Sequence, residues 1–212
     1  MENQQLKNVL AKYIPAEAVE ICAYTVVHLN IHLRITKSRG SKYGDYRPHP
    51  DKNGHIITVN HDLNQYAFLL TFIHEVAHLL CQKKYSRFAA PHGKEWKHEF
   101  AVLLKFFLSK EIFPNDIRAA LHNYMQNPAA SSCTDEQLYR VLKKYNSQTE
   151  FIHLEELPQD AVFRLHSQSR QLTFRKGERM RKNFRCFEVA SSKEYWISPL
   201  AEVIIVESPY SE

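Results

Sequence analysis

The sequence predicts an α+β fold in two domains, on three observations. Helical spacing of apolar residues dominates the first 126 positions, strands with period two are embedded there at 31–36 and 55–60, and short alternating runs take over beyond 160. At 212 residues the chain has length for one large or two small domains with a substantial core. Hydrophobic content of 44% and charged content of 24% are ordinary for a globular protein, and only five glycines argue against a glycine-rich dinucleotide loop.

Leu6, Val9, Leu10, Tyr13 and Ile14 recur at helical spacing until Pro15 stops them. A second helix is expected over 16–29, with Val19, Cys22, Ala23, Val26 and Val27 inward. The period then becomes two: Ile31, Leu33 and Ile35 alternate with His32, Arg34 and Thr36 in a strand with one buried face. A turn at 38–42, a strand start at 44–47 and a breaker-rich loop at 48–54 lead to a strand over 55–60. The small sheet so formed is expected to be antiparallel. Asp62 or Asn64 is positioned to cap the helix that follows.

After that helix comes a polar connector at 83–90. A helix from 94 carries Trp96, Phe100, Leu103, Leu104 and Phe107 inward, and another follows Pro114 through Ile117, Leu121 and Tyr124. Small polar residues at 127–132 mark a boundary, giving domains 1–127 and 128–212. In the second, residues 134–137 have capping-box spacing ahead of a linker helix. Strands are then expected at 161–165, 172–175, 184–189, 195–197 and 203–206, held by Phe163, Phe174, Phe184, Phe187, Tyr195 and Trp196.

Residues 71–80 carry the chemistry. His74-Glu75-Val76-Ala77-His78 matches His-Glu-x-x-His, which sets two imidazoles on one helix face to grip one metal, with the glutamate beside it as a general base. With 12 His and 17 Glu in 212 residues, chance yields this pattern in roughly one such sequence in 20, so context decides. The flanks are almost continuously apolar, which predicts a buried helix, and buried imidazoles and a carboxylate are costly unless a metal satisfies them. A catalytic zinc takes a third protein ligand, for which His92, Glu95, His98 and Glu99 are candidates. His92 is favoured because Gly93 lets the backbone come close. His61, Tyr43, Tyr46 and Tyr85 are candidate oxyanion donors, and the strand over 55–60 is a candidate platform for an extended substrate.

His74–His78, followed 14 residues on by His92-Gly93 and then Trp96, resembles the SprT-like metalloprotease family, whose eukaryotic member Spartan degrades proteins crosslinked to DNA. Residues 34–40, Gly44-Asp45-Tyr46 and 56–60 with Leu63-Asn64 are similar too, so the likeness covers about 18–124. The resemblance implies a zincin-like fold, one catalytic Zn2+ held by His74, His78 and His92, Glu75 as catalytic base, and peptide or protein substrates, including DNA-bound proteins. Many members carry a C-terminal zinc ribbon. Here Cys22, Cys81, Cys133 and Cys186 form no Cys-x-x-Cys pair, so no second zinc is expected, and the cysteine usage points to a reducing compartment.

Charge adds the last expectation. The chain has 28 Lys and Arg against 23 Asp and Glu, net +5. Arg164, Arg170, Arg175, Lys176, Arg179, Arg181, Lys182 and Arg185 cluster in the second domain, interleaved with Phe174 and Phe184, a pattern suited to phosphate contacts and base stacking. Of these, Arg175, Lys176, Arg179, Arg181, Lys182 and Arg185 are the candidate nucleic-acid residues. A polar start and the absence of a long apolar run suggest a cytoplasmic protein off the membrane. Two other readings are a proteolytically silent zinc-containing nucleic-acid adaptor and a general intracellular peptidase indifferent to DNA.

Overall fold

A computed structural model describes residues 2–39, 42–51, 53–85, 90–126, 135–146, 152–166 and 172–207. Positions 127–132, Cys133, Arg170, residues 40 and 41 of the expected turn and the 86–89 part of the connector lie outside them. The fold is α+β, in two units that meet in sequence at Ser147 and Gln148.

The first unit begins with α1 (Glu2–Leu10) and α2 (Ala16–His28), which buries Ala18, Cys22, Ala23 and Val26. Val27, expected inward, is 61% exposed, since it lies a quarter-turn beyond the buried stripe. Then come β1 (Ile31–Thr36), β2 (Gly44–Pro48) and β3 (His55–Asn60). Their spatial order is β1-β3-β2, and the expected all-antiparallel sheet is corrected to a mixed one: β3 pairs parallel with β1 and antiparallel with β2. The chain leaves β1, passes over the place β3 will fill, and returns from β2 through the short 49–54 loop. Both edges of β3 are therefore occupied, so it cannot take up an added strand. Ile57 and Val59 of β3 face the core while Thr58 and Asn60 are buried on the opposite face.

The polar groups of β2 explain its role. Asn60 N–H donates to Tyr43 O (2.9 Å) and His49 N–H to Gly54 O (3.1 Å). In an antiparallel ladder this parity turns Asp45 and Arg47 toward β3 and presents the backbone groups of Gly44 and Tyr46 at the outer edge. Pro48, with no N–H to offer, falls on that same outer parity, where proline is tolerated.

Helix α3 (Gln65–Tyr85) is the centre of this unit: it buries residues on all sides, from Ala67 to Cys81. Asn64 caps it, Oδ1 accepting from the N–H groups of Tyr66 (3.1 Å) and Ala67 (3.0 Å). α4 (Lys94–Leu108) packs Trp96, Phe100, Leu104 and Phe107 into the same core, and α5 (Asn115–Gln126) adds Ile117, Leu121 and Tyr124. α6 (Glu136–Lys143), capped by Asp135 Oδ1 on Leu138 N–H (2.9 Å), also belongs here. Leu138 and Leu142 join the first core, and Asn64 Nδ2 donates to Leu142 O (2.9 Å) and Asn146 Oδ1 (2.6 Å). The boundary expected at 127 is thus corrected to 147, because an amphipathic helix of eight residues buries its leucines where the nearest core lies.

The second unit has its own core and a six-stranded antiparallel sheet in the order β4-β9-β5-β6-β7-β8. β4 (Ile152–His153) and a 3-10 turn (Leu154–Glu156) precede β5 (Val162–Leu165), β6 (Thr173–Met180), β7 (Asn183–Glu188), β8 (Glu194–Ile197) and β9 (Glu202–Glu207). Phe163, Phe174 and Phe184 are buried as expected. Trp196, also expected inward, is 56% exposed, because period two sends it to the face opposite Tyr195 and Ile197.

The boundary gives a test. A fragment of residues 1–147 should melt in one cooperative transition, and Leu138→Ala should destabilise it by about 2–5 kcal/mol in urea titration. An unchanged midpoint would place α6 outside the first core.

Candidate metal centre

On α3, His74 and His78 project from one face four residues apart, and both point their Nε2 atoms at a common place. The third imidazole comes from the turn just before α4. His92 adopts φ +57°, a left-handed conformation that costs a non-glycine residue about 1–2 kcal/mol. Gly93, expected to let the backbone come close, caps α4 with an ordinary φ of −69°. Its contribution is room, since a Cβ there would lie 3.0 Å from Ala90 O.

The three Nε2 atoms form a triangle: 3.2 Å between His74 and His92, 3.2 Å between His74 and His78, and 3.0 Å between His78 and His92. Each neutral imidazole nitrogen has either one proton or one lone pair, directed along the ring axis, so three of them converging cannot all satisfy one another. A central cation can satisfy all three. Tetrahedral coordination at about 2.0–2.1 Å per nitrogen would set the nitrogens about 3.3–3.4 Å apart, close to the spacing seen. Burial first, and then the neighbouring imidazoles, lower His74 to about 3. Burial and His92 lower His78 to about 4, against an opposing effect of Asp45, and burial lowers His92 as well. All three are neutral at pH 7 and keep a lone pair for a metal. The residues fit a metal ion, and they are the group among the described residues that could hold one.

The other candidate ligands are elsewhere engaged. Glu99 is buried, but its Oε1 accepts from Lys84 Nζ (2.9 Å) and Tyr85 OH (3.1 Å). His98 is exposed, and Glu95 lies 3.9 Å from Lys94 Nζ.

Glu75 is buried beside the triad and turned toward β2. Gly44 makes that approach possible, for a Cβ there would stand 2.7 Å from Glu75 Oε1 and 2.6 Å from Thr71 Cγ2. The backbone N–H of Tyr46, on the outer edge of β2, donates to the Glu75 carboxylate. Burial first, and then Asp45, push the Glu75 carboxyl up to about 8, against the pull of Lys42, Arg39 and that N–H. Gly44-Asp45-Tyr46 lies within the family resemblance, but the part Gly44 and the β2 edge play in holding the glutamate has no signal in the His-Glu-x-x-His spacing.

Of the proposed oxyanion donors, Tyr85 is bonded to Glu99, and Tyr46 OH donates to Gln82 Oε1 (2.5 Å) and meets His55 Nδ1 (3.1 Å). His61 is exposed, and Tyr43 contributes its carbonyl to β3.

In the second unit the candidate nucleic-acid residues divide. Arg175, Arg179, Arg181 and Lys182 are exposed on the β6–β7 ribbon. Arg185 pairs with Glu194. Lys176 is corrected to a core residue: it is 5% exposed, its ammonium donates to Leu157 O (2.5 Å) and Glu155 O (3.3 Å), and it lies over the Phe184 ring. Phe174 and Phe184, which interleave with these cations in the sequence, are buried, so the base-stacking part of that expectation is not met by them.

The chain matches no protein-family model, no curated protein and no solved structure. No helix among the described residues is long and apolar enough to cross a membrane.

The ligand set is directly testable. His92→Ala should weaken metal binding at least a hundredfold in chelator competition, while Glu99→Gln should leave it within a few-fold. The opposite ranking would reassign the third ligand.

Proposed function

We propose that the protein is a zinc-dependent metalloendopeptidase of SprT-like type with a zincin-like catalytic domain. The observation that carries this reading is a triad of imidazoles, His74 buried and His78 and His92 half-buried, with a buried carboxylate held beside it at the outer edge of β2. His74, His78 and His92 would hold the ion. The chemistry that zinc supplies there is that of a Lewis acid, which acidifies water and polarises a carbonyl.

The remaining roles belong to the chain. Glu75 is the base: its carboxyl is held beside the triad, where burial raises it and a bound cation would lower it again, which suits taking and returning a proton. It accepts the proton of the attacking water and delivers it to the leaving amine. The Tyr46 N–H keeps the carboxylate aimed, and its burial on α3 keeps bulk water from competing. An extended peptide adds to the outer edge of β2, where the Gly44 and Tyr46 carbonyls point outward, so the scissile bond lies over the triad.

DNA-bound proteins are the proposed substrates, with the β6–β7 ribbon meeting phosphates through Arg175, Arg179, Arg181 and Lys182. Residues 148–212 carry nine Lys and Arg against ten Asp and Glu, so attraction depends on this local cluster and not on net charge.

Glu75→Gln should abolish peptide hydrolysis, by at least a thousandfold in kcat, and keep one equivalent of zinc. Full activity in that variant would sink the peptidase reading, and retained zinc with no activity in wild type would favour the silent adaptor. In a separate measurement, changing Arg179, Arg181 and Lys182 together to Gln should lower the salt slope of DNA binding by about two to three. Binding that is absent at low salt in wild type would leave a DNA-independent peptidase.

A further inference from the structure

We propose that Trp96 is the positioning residue of the metal centre: its indole, in contact with all three imidazoles, holds the His92 ring in the ligand triangle before any ion arrives. This rests on the reading that the triad binds a metal.

The geometry is direct. Trp96 is fully buried, with its ring centroid 4.6 Å from His74, 5.2 Å from His78 and 4.7 Å from His92. It is the one described side chain with ring contacts to all three. It also stacks on Phe100 at 5.0 Å and 10°, and Phe100 meets both His74 and Tyr124 edge-on, so the indole is packed into the core.

The three ligands differ in how much they need such a wall. His74 and His78 sit on the interior of a long buried helix, whose geometry fixes their separation. His92 has no helix beneath it. It lies one residue before the cap of α4, in a left-handed conformation that does not hold itself in place. Trp96 stands one turn into that helix, four residues after His92, and meets its ring nearly edge-on at 79°. The same indole touches the two α3 ligands, so it gauges the gap between α3 and the α4 start.

Trp96 Nε1 has no hydrogen-bond partner among the described residues. Positioning through the ring faces does not use that N–H, which separates two explanations for a tryptophan here.

Zinc uptake by wild type, measured by dialysis against a competing chelator, comes first, and no uptake removes the site and the proposal with it. Given uptake, Trp96→Leu should raise the Kd for Zn2+ at least tenfold and Trp96→Phe by threefold or less. Leu104→Ala, a buried change farther along α4, supplies the control: it should lower the metal-free Tm comparably and leave Kd within twofold. A second readout does not depend on a foldable Leu variant. In Trp196→Phe, Trp96 is the sole indole, and one equivalent of Co2+ should quench more than half of its emission, reversibly with chelator. A folded Leu variant with wild-type Kd, a Phe variant as weak as the Leu variant, or unchanged emission with Co2+ bound would each overturn the assignment.

Discussion

Three imidazole nitrogens brought within 3.2 Å of one another at the margin of an apolar core are the constraint on which the candidate site depends. In water the arrangement would relax, since imidazoles facing one another have little to gain. Here they are held from behind. α3 is packed on all sides, so His74 and His78 can move apart only by displacing Phe68, Phe72 or Ile73, each essentially without exposure. A core that dense converts a poor local interaction into a fixed one, and a fixed set of neutral donors is what a cation binds best.

The same burial governs the glutamate. A carboxyl this far from water prefers to be neutral, and Asp45 reinforces that preference, while a backbone N–H and two nearby cations oppose it. The N–H comes from the strand edge where a peptide would lie. One element therefore aims the carboxylate and, on the proposed reading, borders the place where a substrate carbonyl would sit. Gly44 is the condition for this, since a Cβ there would stand 2.6 Å from Thr71 Cγ2 and 2.7 Å from Glu75 Oε1, so the strand or those two side chains would have to shift.

Much of this was legible in the chain. The spacing of His74 and His78, the apolar flanks and the cap at Asn64 specify the helix, and His92 is favoured by its place ahead of Gly93 as well as by the resemblance. Local periodicity also located most strands of the second unit. What could not be read locally was whatever depends on which elements become neighbours. Parallel pairing of β1 with β3 follows from the path of a loop. The membership of α6 follows from which core lies within reach of Leu138. The φ of His92 follows from closure of the site and not from its glycine neighbour. Val27 and Trp196 are a different case: the period of their own elements already placed them outside, and hydrophobicity alone outweighed it.

Lys176 shows why a run of charge in a sequence is not a charged surface. Its position in β6 alternates with exposed Arg175, so the pleat alone sends one cation inward and the other out. A buried ammonium is tolerable only with acceptors and a polarisable neighbour. Two carbonyls at the end of the 3-10 turn and the face of Phe184 provide them. The lysine thereby ties the segment before β5 to the β6–β7 pair, in a unit whose core is small and has no metal ligands assigned to it. Its charge belongs to the folding of that unit. The cations exposed on the same ribbon, Arg175, Arg181 and Lys182 among them, belong to its surface instead.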